Sequence, residues 1–219
     1  MILLSWSGGK DSALALYEIT KSGEQDVLGL LTIITREYDR ITMHGVCSEL
    51  LGQQARSIGI ELEEVRISEN AAEKEYEQTM GEVMLRLKTR GVDSVAFGDV
   101  FLEDVRRRRE ENLRQIGVKA LFPLWGRNTK ELALEFLRLE FRAIVTCVDA
   151  NLLDGSFVGR ELDEDFLRDL PSGVDPCGEN GEFHSFVYGG PIFSREVRFE
   201  MGDVVVRRGR FHYCDLLPL

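Results

Sequence analysis

The sequence predicts an α/β fold, a five-stranded parallel doubly wound sheet with a smaller C-terminal α+β domain. Three observations predict it. Short apolar runs alternate with amphipathic stretches along the first half of the chain. The amphipathic stretches run out at Gly23, Gly59, Gly91 and Gly117, where glycine suits the left-handed turn that closes a helix. After Gly126 the alternation gives way to short strand patterns with Gly-rich turns.

In chain order, residues 2–6 are a short apolar run and a buried strand. Asp11 and Ser12 can cap a helix that runs through 13–19. Residues 27–34 are continuous and branched, as in a sheet covered on both faces. A helix over 48–58 leads to a third strand at 62–67, and a long helix over 71–90 to a fourth at 92–97. A helix over 103–116 leads to a short fifth strand at 120–125. Right-handed crossovers then place ligands beyond the carboxyl ends of the strands, at the switch point. The change of pattern sets a boundary near Gly126, between domains 1–126 and 127–219. In the second, Asn128 and Glu131 form a capping signature for a helix to about Leu139. A strand at 142–148, an acidic helix at 162–170 ended by Pro171, and a Gly/Pro-rich loop at 172–182 follow. Segments 183–188, 196–200 and 204–213 are predicted antiparallel strands, with turns at Gly189-Gly190 and Gly202-Asp203.

Composition narrows the function. The chain has 219 residues, 43% hydrophobic and 30% charged, as a soluble domain has, and a net charge of −11. That sign argues against holding nucleic acid by bulk electrostatics. No apolar run approaches the roughly 20 residues that span a bilayer, so no membrane association is expected. The opening MILLSWSGGKDS has no basic stretch and no cleavage site, so no secretory leader is expected. Cys47, Cys147, Cys177 and Cys214 are scattered without a CxxC pair, which fits a reducing cytoplasm and no clustered metal site.

Ser7-Gly8-Gly9-Lys10-Asp11-Ser12 follows the first strand and opens a helix. Its glycines let backbone approach an anion, and the free N–H groups of a helix start hold phosphate oxygens. Ser7 and Ser12 add hydroxyls and Lys10 a charge. The spacing is not Walker A. The alternative is a generic cap with a Gly-rich turn.

SGGKDS resembles the PP-loop of the ATP pyrophosphatases, which have the adenine nucleotide α-hydrolase-like fold. Met43-His44-Gly45-Val46, Phe97-Gly98-Asp99, Pro123-Leu124-Trp125 and the stretch DPCGENGEFHSF at 175–186 resemble one branch, the diphthine–ammonia ligase family. The resemblance implies that ATP and Mg²⁺ convert a carboxylate to an acyl adenylate, which ammonia turns into an amide with release of AMP and pyrophosphate. The implied acceptor is diphthine on elongation factor 2 or a related carboxylate. It implies a nucleotide site of Ser7, Gly8, Gly9, Lys10, Asp11, Ser12, His44, Gly98 and Asp99. Asp11 and Ser12 join Glu179, Glu182 and His184 in the implied catalytic set, and Asp11 is the implied metal ligand. Each has a plainer reading. Asp11 and Asp99 can cap helices, His44 can be a hydrogen-bonded structural residue, and 178–184 can be an acidic surface turn. Arg106–Arg109 is expected to be a solvated helix face, paired with its flanking acids. Cys177 is expected to pack rather than carry sulfur. Two other functions stay open: a PP-loop enzyme modifying tRNA by thiolation or lysine addition, and a non-catalytic adenine-nucleotide sensor.

Overall fold

The computed structural model describes residues 1–219, the side chains of residues 73 and 74 excepted. In chain order the elements are β1 (Ile2–Ser5), α1 (Lys10–Ser22), β2 (Val27–Thr35), β3 (Arg40–Ile41), α2 (Ser48–Ile58), β4 (Glu61–Ile67), α3 (Glu73–Thr89), β5 (Ser94–Ala96), α4 (Glu103–Gln115) and β6 (Lys119–Leu121). There follow α5 (Thr129–Arg138), β7 (Arg142–Asp149), a single 3-10 turn at Gly155–Phe157, α6 (Glu164–Asp169), β8 (Phe183–Gly189), β9 (Phe199–Arg207) and β10 (Phe211–Pro218).

The first sheet carries the five expected parallel strands, in the order β4-β2-β1-β5-β6. The order reverses between β1 and β5, which is the switch point of a doubly wound sheet. A two-residue strand, β3, was not legible. It pairs antiparallel with Ile34 and Thr35, past the part of β2 that pairs with β1. The second sheet is antiparallel, in the order β8-β7-β10-β9.

Alternation along β1 explains the layering. Leu3 points to a cluster with Val65, Val95, Met84, Leu87 and Leu113, so α3 and α4 cover that face. Ile2 and Leu4 point the other way, into a larger cluster with Leu14, Leu50 and Ala55 of α1 and α2. That cluster does not stop at Gly126. It takes in Phe136 of α5, Val145 of β7, Phe186 of β8 and Leu216 of β10. The two sheets therefore share one hydrophobic core.

Three sequence expectations need correction. Asp11 and Ser12 do not cap α1; both lie in its first turn, and the N-cap is Gly9 with no side-chain bond. Ser12 Oγ instead donates back to the Gly9 carbonyl at 2.9 Å, and the Asp11 carboxylate takes Lys10 Nζ. The fifth strand ends at Leu121, because Trp125 N–H turns back to the Phe122 carbonyl and Gly126 N–H to that of Val100. Gly202-Asp203 is not a turn but lies inside β9, which starts only at Phe199. The hairpin reverses at Arg208 and Gly209, whose φ of 51° and 66° give the two consecutive left-handed residues of a tight hairpin turn. The absent Gly202 side chain lets the strand pass Asp215, where a Cβ would come within 3.2 Å of the Asp215 Cβ.

Candidate functional site

The loop after β1 is locked from three sides. Gly8 takes a φ of 75°, open to glycine at little cost. Its carbonyl accepts from Val187 N–H at 2.8 Å and from Gln54 Nε2 at 3.0 Å. Gln54 is fully buried; it also donates to the Val187 carbonyl at 2.5 Å and accepts from Trp6 Nε1 at 2.9 Å. Ser185 Oγ accepts from Lys10 N–H at 3.2 Å. One residue of α2 and one strand of the second sheet thus set the position of the Gly-rich loop. Ser7 Oγ lies 3.2 Å from Ser12 Oγ and accepts from Gly9 N–H at 3.2 Å.

Close approach explains two glycines. A Cβ on Gly9 would meet His44 Cε1 at 2.9 Å and the Ser185 carbonyl at 3.0 Å. A Cβ on Gly98, just past β5, would lie 2.8 Å from the carbonyl carbon of Asp11. Both strands at the switch point therefore meet the first turn of α1 directly.

Segment 178–185 of the second domain reaches this loop. Glu179 Oε1 accepts from Val100 N–H at 2.7 Å, next to Gly98 and Asp99. Burial pushes its carboxyl up to about 7, against the Val100 bond, and the charge of Asp11 adds to the rise. Lys10 is almost fully buried, with Nζ 2.8 Å from both Asp11 oxygens and 5.7 Å from the centre of the Phe183 ring. Burial alone would lower its affinity for the proton, but Asp11 and Glu179 outweigh it and hold the charge. His44 Nδ1 is 3.1 Å from the Ser185 carbonyl, and its ring lies 4.6 Å from that of His184. Burial drives His44 down to about 4 and His184 well below its usual value, so both imidazoles are neutral at pH 7. His184 Nε2 is buried without a hydrogen-bond partner.

Glu182 does not join this cluster as an open carboxylate. It is 4% exposed and holds its own loop: Oε1 accepts from Asp175 N–H and Asn180 Nδ2, and Oε2 from Asn180 N–H, each at 3.0 Å. Among the described residues each of these bonds stays within the loop at 175–182, so Glu182 organises that loop.

Asp99 faces Arg109, with Nε–Oδ2 at 2.8 Å and Nη2–Oδ1 at 3.1 Å, and burial raises its carboxyl despite that partner. Arg109 also lies over the Phe97 ring at 4.2 Å, and Arg106 over Trp125 at 4.6 Å. The solvated-face expectation holds for Arg107 and Arg108, which are exposed; Arg106 pairs with the flanking Glu110 at 2.7 Å, and Arg106 and Arg109 share an inward face three residues apart. Cys177 is buried, donates to the Thr129 carbonyl at 3.2 Å, and is pushed up to about 12 by burial. Sequence reasoning missed Gln54 and left open which of the four arginines faces inward. A lone polar residue in the apolar stripe of 48–58 was the available signal for Gln54.

Among the described residues no group of three His, Cys, Asp or Glu side chains could hold a metal by itself. Mg²⁺ binds through one or two carboxylates plus substrate phosphates, and Asp11, in the loop and partly exposed, fits that limited part. No helix among these residues is long and apolar enough to cross a membrane.

Fold and site together define a class: a doubly wound α/β protein whose Gly-rich loop after the central strand is closed by a polar segment from a second, antiparallel sheet. Residues 1–120 match the family described as "Diphthamide synthase N-terminal domain" and residues 128–212 "Diphthamide synthase C-terminal domain", and the chain belongs to the diphthamide synthase family. Among individual relatives, the diphthine–ammonia ligase of Bos taurus is 32% identical over 120 residues, 52% of this chain and 45% of that protein. The stretch matched in it, and in the Homo sapiens relative, thus spans just under half of their length. The diphthine–ammonia ligase of Mus musculus is 27% identical over 91% of this chain and 83% of its own. That of Schizosaccharomyces pombe is 24% identical over 91% of this chain but only 36% of its own.

Proposed function

We propose that the chain is an ATP-dependent amide ligase that adenylates a carboxylate and amidates it with ammonia. The observation that carries this reading is the meeting of the loop at 7–12 with segment 178–187, through Lys10 N–H on Ser185 Oγ and Val187 N–H on Gly8 O. A nucleotide and an acceptor must lie side by side for adenylation, and that seam offers one place for both. In this reading residues 1–126 hold the nucleotide and 127–219 shape the acceptor side. The names of the relatives support diphthine as the acceptor and ammonia as the donor; in this reading the acceptor protein is elongation factor 2, where that modified protein is made, and the compartment is the cytoplasm.

The steps follow from the chemistry of the groups. The acceptor carboxylate oxygen attacks the α-phosphorus of ATP, and pyrophosphate leaves. Backbone N–H groups at the start of α1, with the Ser7 and Ser12 hydroxyls, hold the departing phosphates. Mg²⁺ bound beside Asp11 would supply charge neutralisation there. Lys10 keeps the loop positive from beneath while paired with Asp11. Ammonia then attacks the acyl carbon, AMP leaves, and Glu179, poised near neutrality, accepts a proton from the attacking nitrogen. His44 and His184 act as neutral wall and spacer against Gly9. The buried, weakly acidic Cys177 is unsuited to carry a persulfide, which counts against tRNA thiolation.

Two measurements test the reading. With acceptor and Mg²⁺ present, chromatography should show ATP converted to AMP and pyrophosphate. With isotopically labelled ammonium, the acceptor should gain the mass of an amide. Release of ADP and phosphate, or a gain equal to sulfur, would overturn the proposal.

A further inference from the structure

A concavity opens on the far side of His44 from the Gly-rich loop. It measures about 760 Å³ and lies between the carboxyl ends of β2 and β4 and the β9–β10 hairpin, with Tyr38, Tyr76, Arg207 and Tyr213 in its wall. A cation already sits between aromatic rings there. The Arg207 guanidinium carbon is 5.2 Å from the centre of the Tyr38 ring and 5.7 Å from that of Tyr213. Both distances fall within cation–π range. Arg40 and Arg208 in the same wall pair with Asp215 and Glu69, whereas Arg207 makes no ion pair among the described residues. Its charge is met by ring faces alone.

The two rings are held in place. The Tyr38 hydroxyl donates to Glu69 at 2.8 Å. The Tyr213 ring lies against Gly45, where a Cβ would come 2.6 Å from Cδ1. The preceding residue, His44, touches Gly9 of the loop. Consecutive Cα atoms are about 3.8 Å apart, so the wall between ring and loop is a single residue thick.

We infer that Tyr38 and Tyr213 form a cage for an organic quaternary ammonium group, and that Arg207 holds the place of that cation in the free protein. A trimethylammonium has no N–H to donate, so aromatic faces are its natural direct partners. Glu69, Asp203 and Asp215 in the cleft wall face Arg40, Arg207 and Arg208, so moving Arg207 aside leaves one negative charge in excess for an incoming cation. The identity of the cation rests on the ligase reading: diphthine carries its trimethylammonium beside the carboxylate to be activated, so a cage for it has to adjoin the loop. The cage itself does not depend on that reading.

The test uses the full chain without nucleotide. Choline and its neutral isostere 3,3-dimethylbutan-1-ol are titrated while the tyrosine ring signals are followed by NMR. Choline should bind about tenfold more tightly than the alcohol, the difference being the positive charge on equal shape. Tyr38→Leu, at a half-exposed ring, should remove most of that preference, Tyr38→Phe should keep it, and Arg207→Gln should tighten choline by vacating the site. Equal binding of choline and the alcohol, or a preference untouched by Tyr38→Leu, would overturn the cage. Weaker choline binding in Arg207→Gln would overturn the placeholder role of Arg207. Choline preference without incorporation of labelled ammonium would leave the cage standing and reject the ligase reading; incorporation without the preference would do the reverse.

Discussion

Replacing Glu182 with Gln should cost stability before it costs chemistry. The carboxylate is buried at 4% exposure and accepts three hydrogen bonds, two on Oε1 and one on Oε2. A glutamine can keep the pair on Oε1, but its amide then turns N–H toward the Asn180 N–H. One charge-assisted bond is lost, worth about 1.5–3 kcal/mol, and a donor is left facing a donor. The expected cost is about 2–4 kcal/mol. At roughly 2–4 °C per kcal/mol for a chain of this size, Tm should fall by about 5–15 °C. Glu182→Ala, which removes both oxygens, should fall further. Melting followed by circular dichroism measures the shift, and ATP binding by calorimetry well below the lowered Tm shows whether the nucleotide side survives. Turnover measured there should recover with the order of the loop. A Glu182→Gln protein that melts within about 2 °C of the parent yet has lost turnover would refute the loop-organising role and restore the carboxylate to the chemistry.

Gly98→Ala should weaken ATP binding by an order of magnitude or more, as read by calorimetry, because the new methyl meets Asp11 backbone at 2.8 Å and no flexible side chain can give way. Glu179 has a folded-state value of about 7, above its ordinary 4.5, so its contribution to stability is complete below about pH 4.5 and is lost as pH rises through 7. Glu179→Gln should flatten that slope, by about 1–2 kcal/mol between pH 5 and 8 after allowance for its partial exposure, in melts across the range. His44 titrates near 4 in the fold against 6.5 ordinarily, so its contribution is present above about 6.5 and lost as pH falls through 4. His44→Phe should therefore lose less stability on acidification than the parent, in denaturant titrations at pH 7 and pH 4.5.

Where local pattern decides structure, the chain could be read directly. The five parallel strands follow from apolar runs and helix-ending glycines, and the Asn128 cap from its spacing to Glu131, whose N–H it accepts at 3.0 Å. Where a partner distant in sequence decides, pattern failed. Gly202-Asp203 carries ordinary turn residues, but the seven residue pairs between β9 and β10 cannot be seen from either strand alone, and the reversal fell at Arg208-Gly209. The same limit applies to the site. Residues 7–12 and 178–185 each announced polar chemistry, yet only the fold shows that Glu179 faces the loop while Glu182, three residues on, turns inward. Arg109 was hidden among its neighbours because helix spacing does not reveal that Phe97 and Asp99 lie opposite.

The shared core gives the seam its mechanical character. Gln54 links Trp6, Gly8 and Val187, so an α2 side chain ties the first sheet, the loop and β8 at one point. Phe186 and Val187 are buried in the same cluster as Leu4 and Leu50. Sliding the second sheet against the first would expose that cluster and break the bonds to Gly8, so the two halves of the site cannot separate cheaply. Any motion that admits an acceptor side chain must come from elements outside the shared core. The tip of the β9–β10 hairpin is one: Val204 and Val206 are each more than half exposed, whereas Cys214 and Leu216 further along β10 belong to the core. Its Arg207 and Tyr213 border the large cleft, and Asp215 on β10 is tied to the first sheet through Arg40. The hairpin tip, beyond Cys214 and its partner Val204, is the part of the second sheet that can yield while the Gly-rich loop stays fixed.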